Sequence, residues 1–369
     1  MSEGRGFDAV VIGMGLAGLC AALRVAQGGA RVLVLAKGIG ATHLAPATID
    51  VLGYKPGRVE RPADELGGFL AERPDHPYGR LPDGALARSL DWLVGVLADG
   101  AADGYRYRGG LERNALLPTA VGAPKPTALV PETMASGDLS DGGRICVVGL
   151  RRLKDFYAGY LADNLGRVDG VSARAVELSR DVEGRAEANS LAFARRFDDA
   201  SFRAGVADEL LRRLEDDDER VAFPAVLGLH DPHGAWSDLE ARLGRPVFEI
   251  STLPPSVPGM RLQGALRAAL RAAGGRIVVG SEVVGVDVEG DRAVRVRARA
   301  AAREAVHPAR SVVLASGGFA AGGLELGSDW VARETVLGLP LAGVPARDEP
   351  RFEPDVLGPQ PLARAGVAV

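Results

Sequence analysis

The chain has 369 residues, 47% of them hydrophobic and 25% charged, with a formal net charge of −4. That is globular composition, long enough for two domains or for one domain with an insertion. The lack of excess cations excludes a nucleic-acid-binding role. Two cysteines, Cys20 and Cys146, are too few for a disulfide framework or a zinc site, so no metal is expected and a reduced, cytoplasmic setting fits.

Phe7 to Ile12 is a continuous apolar run, the pattern of a parallel strand buried on both faces. Neither a basic region before it nor any run of 18 apolar residues occurs, so no signal peptide or transmembrane segment is expected. Gly13-Met14-Gly15-Leu16-Ala17-Gly18 follows as a G-x-G-x-x-G. The spacing then predicts a helix from Leu16 to Gln27, ended by Gly28-Gly29, and a second strand over Arg31–Leu35. A glycine loop between a strand and a helix, with a second strand beyond, is the context of a dinucleotide site. The first glycine allows the turn, the second lets a pyrophosphate approach, and the third lets the helix pack on the strand. The helix start offers free N–H groups to the anion. Gly13, Gly15, Leu16, Ala17 and Gly18 are therefore predicted to bind a cofactor.

An acidic residue that would accept the ribose hydroxyls should close the second strand. Ala36-Lys37 stands there instead, and a lysine cannot accept. Lys37 is expected near the adenosine or a phosphate, or simply in solvent. Residues 38–60 read as irregular and rich in small residues, with Thr42 and His43 as the polar groups to watch.

In the middle of the chain, strands are predicted at Arg144–Gly149, Val171–Leu178, Ala222–Leu229 and Val247–Thr252. Helices are predicted near 152–165, 186–197 and 202–215. The run Glu215–Glu219 reads as a solvated helix end. His230-Asp231-Pro232-His233 reads as a surface turn, not a metal site. Farther on, a stiff loop over Thr252–Gly259 precedes a helix from Met260 to Ala273. A strand follows at Arg276–Val279, then a hairpin of Ser281–Glu289 and Ala293–Ala300 about Gly290-Asp291. A last strand, Ser311–Ala315, runs into Gly317-Gly318, which are expected to lie under a bound dinucleotide.

Phe7 to Lys37, His76-Pro77-Tyr78, Ile145 to Gly149, Thr252 to Leu262, Val313 to Gly323 and Leu337-Gly338-Leu339 come in an order that resembles the B subunit of anaerobic glycerol-3-phosphate dehydrogenase. The most specific segment is Leu253-Pro254-Pro255-Ser256-Val257-Pro258-Gly259-Met260-Arg261-Leu262. The resemblance implies an α/β fold of the two-dinucleotide, FAD/NAD(P)-binding Rossmann-like type, with a flavin domain over 1–65 plus 255–369 and an inserted α/β region over 66–254. It implies a flavin, FAD by the glycine motif and FMN by the family. It also implies two partners, a catalytic flavoprotein (the A subunit) and an iron–sulfur protein (the C subunit). The complex would oxidise sn-glycerol 3-phosphate to dihydroxyacetone phosphate and pass electrons to quinone. This chain would be peripheral at the inner face of the cell membrane through its partners. Related chains look as if they continue past the position of Val369 through a second glycine-rich segment and a closing helix, so a flavin site lacking that segment is expected. No residue maps onto a catalytic acid or base. Arg261 is the candidate for a substrate anion. His43 is the candidate for a non-covalent hydrogen bond to the flavin, because Ala36-Lys37 and His43 resemble the covalent-flavin loop of succinate dehydrogenase and fumarate reductase flavoproteins. The alternatives are a stand-alone FAD-dependent oxidoreductase of another small substrate and a non-catalytic scaffold within the complex.

Overall fold

The computed structural model describes residues 6–99, 105–179, 188–215, 219–300, 303–345, 349 and 366–367. The main elements begin with β1 (Ala9–Ile12), α1 (Leu16–Gln27), β2 (Val32–Ala36), α2 (Pro62–Glu72) and α3 (Ala85–Asp99). There follow β3 (Gly143–Leu150), α4 (Ala158–Leu165), β4 (Val171–Leu178), α5 (Ser190–Phe197), α6 (Ala200–Leu211), β5 (Arg220–Pro224), α7 (Pro232–Leu243) and β6 (Val247–Ile250). The chain continues through α8 (Val257–Ala272), β7 (Arg276–Val279), β8 (Glu282–Glu289), β9 (Arg292–Ala300), β10 (Arg303–Pro308) and β11 (Val312–Leu314). These elements form two compact units, Met1–Ala41 with Ala269–Val369, and Thr42–Ala268. These units divide the chain at 41 and 269, where the sequence analysis places the boundaries at 65 and 255. The segment after Ala41 is tied into the second unit by backbone and side-chain bonds to the start of α8: the Ser256 N–H donates to the His43 carbonyl (3.2 Å) and the Ser256 hydroxyl to the Ala45 carbonyl (2.6 Å).

In the first unit, β1 and β2 are buried along their whole length, as their unbroken apolar sequences require. Helix α1 covers them with a stripe of Leu19, Ala22, Leu23 and Ala26. The parallel sheet runs β7-β2-β1-β11, with Val10 opposite both Leu33 and Val312 and Val34 opposite Ile277. In order of appearance that is 3-2-1-4, the dinucleotide-binding order, which places the crevice at the carboxyl end of β1 beside β11. The predicted hairpin is present as β8 and β9. A third strand, β10, extends it antiparallel. Its mostly exposed residues hide it from a search for buried periodicity. Val296 and Ala298 of β9 pack with Val10, Leu33 and Leu35 in one core.

The second unit holds another parallel sheet, ordered β4-β3-β5-β6. Its core includes Phe193, Phe197, Phe223 and Phe248, all fully buried. Several elements are shorter than expected. Strand β5 ends at Pro224, which has no N–H to donate to a ladder. Beyond it, Ala225 N–H still reaches the Ile250 carbonyl (2.9 Å), but Leu227 N–H donates to the Glu249 side chain (2.8 Å) and Leu229 N–H to Asp198 (3.0 Å). Helices α5 and α6 start where Asn189 and Asp199 cap them.

Two readings of the middle region need correction. The run Glu215–Glu219 is not simply a solvated helix end. Glu219 is buried and holds Arg174 through two bonds of 2.7 and 2.8 Å, and Glu215 reaches the same guanidinium at 3.6 Å. Asp216–Asp218 lie outside the described residues. His230–His233 is a helix start, with Asp231 capping α7 and Pro232 in its first turn. Among the described residues no cluster of His, Cys, Asp or Glu could hold a metal, and no helix is long and apolar enough to cross a membrane.

Candidate functional site

The glycine loop lies at the carboxyl end of β1. Gly13 has φ +109°, and a Cβ there would overlap the Ala315 carbonyl oxygen, so only glycine fits. A Cβ on Gly18 would overlap the Gly13 carbonyl, which holds α1 close to the loop. Gly15 differs: its φ is −74°, and a Cβ there would meet nothing within 4 Å. Gly13 and Gly18 are thus fixed by crowding, whereas Gly15 faces open space. No side chain caps α1 and no acidic residue occupies its first turn. The N–H groups of Leu16 and Ala17 belong to that uncapped turn. An opening over Gly15, beside an uncapped helix start free of negative charge, fits the pyrophosphate of a dinucleotide.

Two further segments border this loop. The Ala315 N–H donates to the Ile12 carbonyl (2.9 Å), which brings Ser316-Gly317-Gly318 to the end of β1. Gly317 has φ +83°, and a Cβ on Gly318 would face open space. From the other side, a Cβ on Gly40 would stand 2.9 Å from the Gly15 nitrogen, so residues 38–40 fold back over the loop. The structure therefore gathers Gly13, Gly15, Leu16, Ala17, Gly18, Gly317 and Gly318. Ala36 closes β2 and is buried. Lys37 is exposed and paired with Glu282 at 2.8 Å.

Thr42 and His43 lie in a short 3-10 turn of the second unit. A Cβ on Gly259 would overlap the carbonyls of Thr42 and Ala45, so the specific Leu253–Leu262 segment is shaped to receive this turn. Tyr107 grips the chain just after this turn, donating its hydroxyl to the Ala47 carbonyl (2.6 Å). Thr42 Oγ1 and His43 Nδ1 are buried atoms, and neither has a hydrogen-bond partner among the described residues.

Arg261 has a different role from the one expected. It is buried one turn into α8, and its Nη1 and Nη2 bond to Glu249 at 2.6 and 3.0 Å. Its Nε donates to the Gly228 carbonyl (2.9 Å). Burial opposes its charge, but the Glu249 carboxylate beside it more than compensates and holds the group protonated. A guanidinium already neutralised in the core offers no charge to a substrate anion. Sequence reading missed Glu249 because the pair joins a strand to a helix across the loop at 251–256, twelve positions apart. Both cysteine thiols are pushed up to about 11 by burial.

Several known proteins are similar to this chain. The family model of the FAD binding domain matches residues 8–369. The B subunit of anaerobic glycerol-3-phosphate dehydrogenase from Pectobacterium atrosepticum is 32% identical over 383 residues, covering 98% of this chain and 86% of the relative. The probable B subunit of the same enzyme from Halobacterium salinarum is 33% identical over 377 residues, covering 98% and 85%. Among solved structures, a 3-ketosteroid dehydrogenase of Rhodococcus jostii is similar over 86% of this chain and 48% of its own, with 18% identity and a TM-score of 0.39.

Proposed function

We propose a function from an established premise: this chain belongs to the FAD binding domain family and to the family of the anaerobic glycerol-3-phosphate dehydrogenase B subunit. It is a flavoprotein, and its role is that of the flavin-dependent subunit of a respiratory complex that oxidises sn-glycerol 3-phosphate to dihydroxyacetone phosphate and delivers the electrons to quinone. The observation that carries this reading is the loop at Gly13–Gly18, which is crowded at Gly13 and Gly18 and open at Gly15. When bound, flavin supplies hydride acceptance and one-electron release, the two halves of such a transfer. The chain's own residues bind and orient it. Leu16 and Ala17 offer N–H groups to the pyrophosphate, and Gly317 and Gly318 lie beside the same loop.

The reading extends to Thr42 and His43. The support for both is the sequence resemblance of Ala36-Lys37 and His43 to a flavin-binding loop. We assign them hydrogen bonds to the flavin, non-covalent in the case of His43. The partners are a catalytic flavoprotein (the A subunit) and an iron–sulfur protein (the C subunit), through which the protein sits at the inner face of the membrane. Arg261 is withdrawn from any contact with substrate, and no acid or base is assigned. A relay role beside a catalytic partner accommodates that.

The test is to purify the chain alone and with its two partners and add sn-glycerol 3-phosphate. Bleaching of this chain's flavin absorbance only when the catalytic flavoprotein is present supports the proposal. Bleaching without partners makes it a stand-alone oxidoreductase. A colourless protein that binds its partners makes it a scaffold.

A further inference from the structure

The end of β2 lacks the acid that dinucleotide sites place there for the ribose hydroxyls. The neighbouring strand brings one to the same edge. Strand β7 runs parallel to β2 with Val279 opposite Ala36, so both strands end at the carboxyl edge of the sheet. After β7 the chain turns at Gly280 (φ +77°), and the Ser281 N–H donates to the Ala36 carbonyl (3.0 Å). The next residue is Glu282, whose Oε1 accepts from Lys37 Nζ at 2.8 Å.

We infer that Glu282 is the ribose-binding carboxylate of this flavin site, supplied from β8 in place of the missing acid on β2. Its ligand is the vicinal diol of an adenosine, so the inference rests on the flavin reading above and deepens it from flavin to FAD. Lys37 is then a positioning residue, its ammonium holding the carboxylate at the strand end. Three observations support this. The carboxylate stays ionised, because the hydrogen bond and charge of Lys37 hold it below the usual range, so both its oxygens can accept from hydroxyls. Its side chain is 46% exposed, open to a ligand. The segment leaving Lys37 reaches the glycine loop within three residues, at Gly40 against Gly15, a span of at most about 11 Å. The pyrophosphate opening and the carboxylate therefore border one stretch of the sheet edge. A ribose contact distinguishes FAD from FMN directly, since FMN has no adenosine.

The test uses the apoprotein of this chain and titrates FAD, FMN, adenosine 5′-diphosphate and its 2′-deoxy analogue into wild type and Glu282→Gln by calorimetry. Wild type should bind FAD more tightly than FMN and the diphosphate more tightly than the deoxy analogue. In the variant FAD should weaken by about tenfold or more, the value of a hydrogen bond to a charged group. FMN binding should stay the same, and the preference for the 2′-hydroxyl should disappear. Unchanged FAD affinity would leave Lys37–Glu282 as a surface ion pair only and overturn the inference. So would equal losses for FAD and FMN, which would report a general disturbance of the fold. A wild type that binds neither flavin would overturn the flavin reading itself.

Discussion

Within one glycine motif, Gly13 and Gly15 do different work. Gly13 is fixed by its backbone angle and by the Ala315 carbonyl, whereas Gly15 is free of both constraints. Gly15→Asp should therefore leave the fold intact and place a carboxylate where we propose that the pyrophosphate binds. Visible absorbance of the purified variant should show most of the flavin gone, with an unaltered urea midpoint. Retained flavin would refute the assignment of the loop. Gly13→Ala should do the opposite and lower stability, because its Cβ has nowhere to go. The Arg261–Glu249 pair gives a second prediction. Both groups are buried, and Glu249 also accepts from Thr133 Oγ1 (2.7 Å) and Leu227 N–H. Glu249→Gln leaves the guanidinium charged and without its counter-ion, so unfolding free energy should fall by about 3–5 kcal/mol. A change under about 1 kcal/mol would show that the pair is dispensable. Sequence could show the glycines, because their spacing is local. It could not show this pair, because nothing in a lone arginine says which carboxylate faces it.

Elements with continuous apolar runs or a clear 3.6-residue stripe were legible: β1, α1, β2, β4 and the β8–β9 hairpin stand where periodicity puts them. Boundaries set by capping were less so. Helix α8 begins at Val257, ahead of the expected Met260, because the Ser256 hydroxyl accepts from the Gly259 N–H (3.2 Å) and so caps the helix across Pro258. The same hydroxyl donates to the Ala45 carbonyl, so one atom both starts a helix and anchors the turn that carries Thr42 and His43. Ser256→Ala should cost about 1 kcal/mol through the lost cap. It should also loosen the turn. If His43 meets the flavin, the midpoint potential of bound flavin should shift in Ser256→Ala in the same direction as in His43→Ala. Spectroelectrochemistry on both variants measures this. A stability loss with an unmoved potential would confine Ser256 to capping.

For the molecule as a whole, the pairing of strands from both ends of the chain in one sheet follows the glycine-rich α/β grammar that opens and closes the sequence. The placing of 42–65 was not legible, since its bonds run to distant residues, as in Asn114 to Leu52 and Ser256 to Ala45. Charge distribution leads to a last prediction. Asp238 is raised by its partial burial, but hydrogen bonds and charges of Arg203 and Arg242 outweigh this and hold it below the usual range. Asp138 is likewise raised by burial and more strongly lowered by the N–H of Leu116 and by Ser140. Glu132 follows the same pattern through Arg108, His233 and Arg106. A carboxylate whose folded pKa is depressed adds stability that is fully present above its unfolded value, near 4. That stability is lost as pH falls through the folded value. Glu177 and Glu240 work in the opposite sense: burial raises them, so their protonation in acid relieves a cost. The depressed group is the larger and has the shorter contacts, such as Arg203 Nε to Asp238 at 2.6 Å. The urea midpoint should therefore hold between about pH 7 and 5 and fall below about pH 4. Asp238→Asn should lower the midpoint at pH 7 and flatten its fall in acid, because the proton it would take up is no longer there to bind. A wild-type midpoint that stays level down to about pH 3 would mean that the raised carboxylates balance the depressed ones.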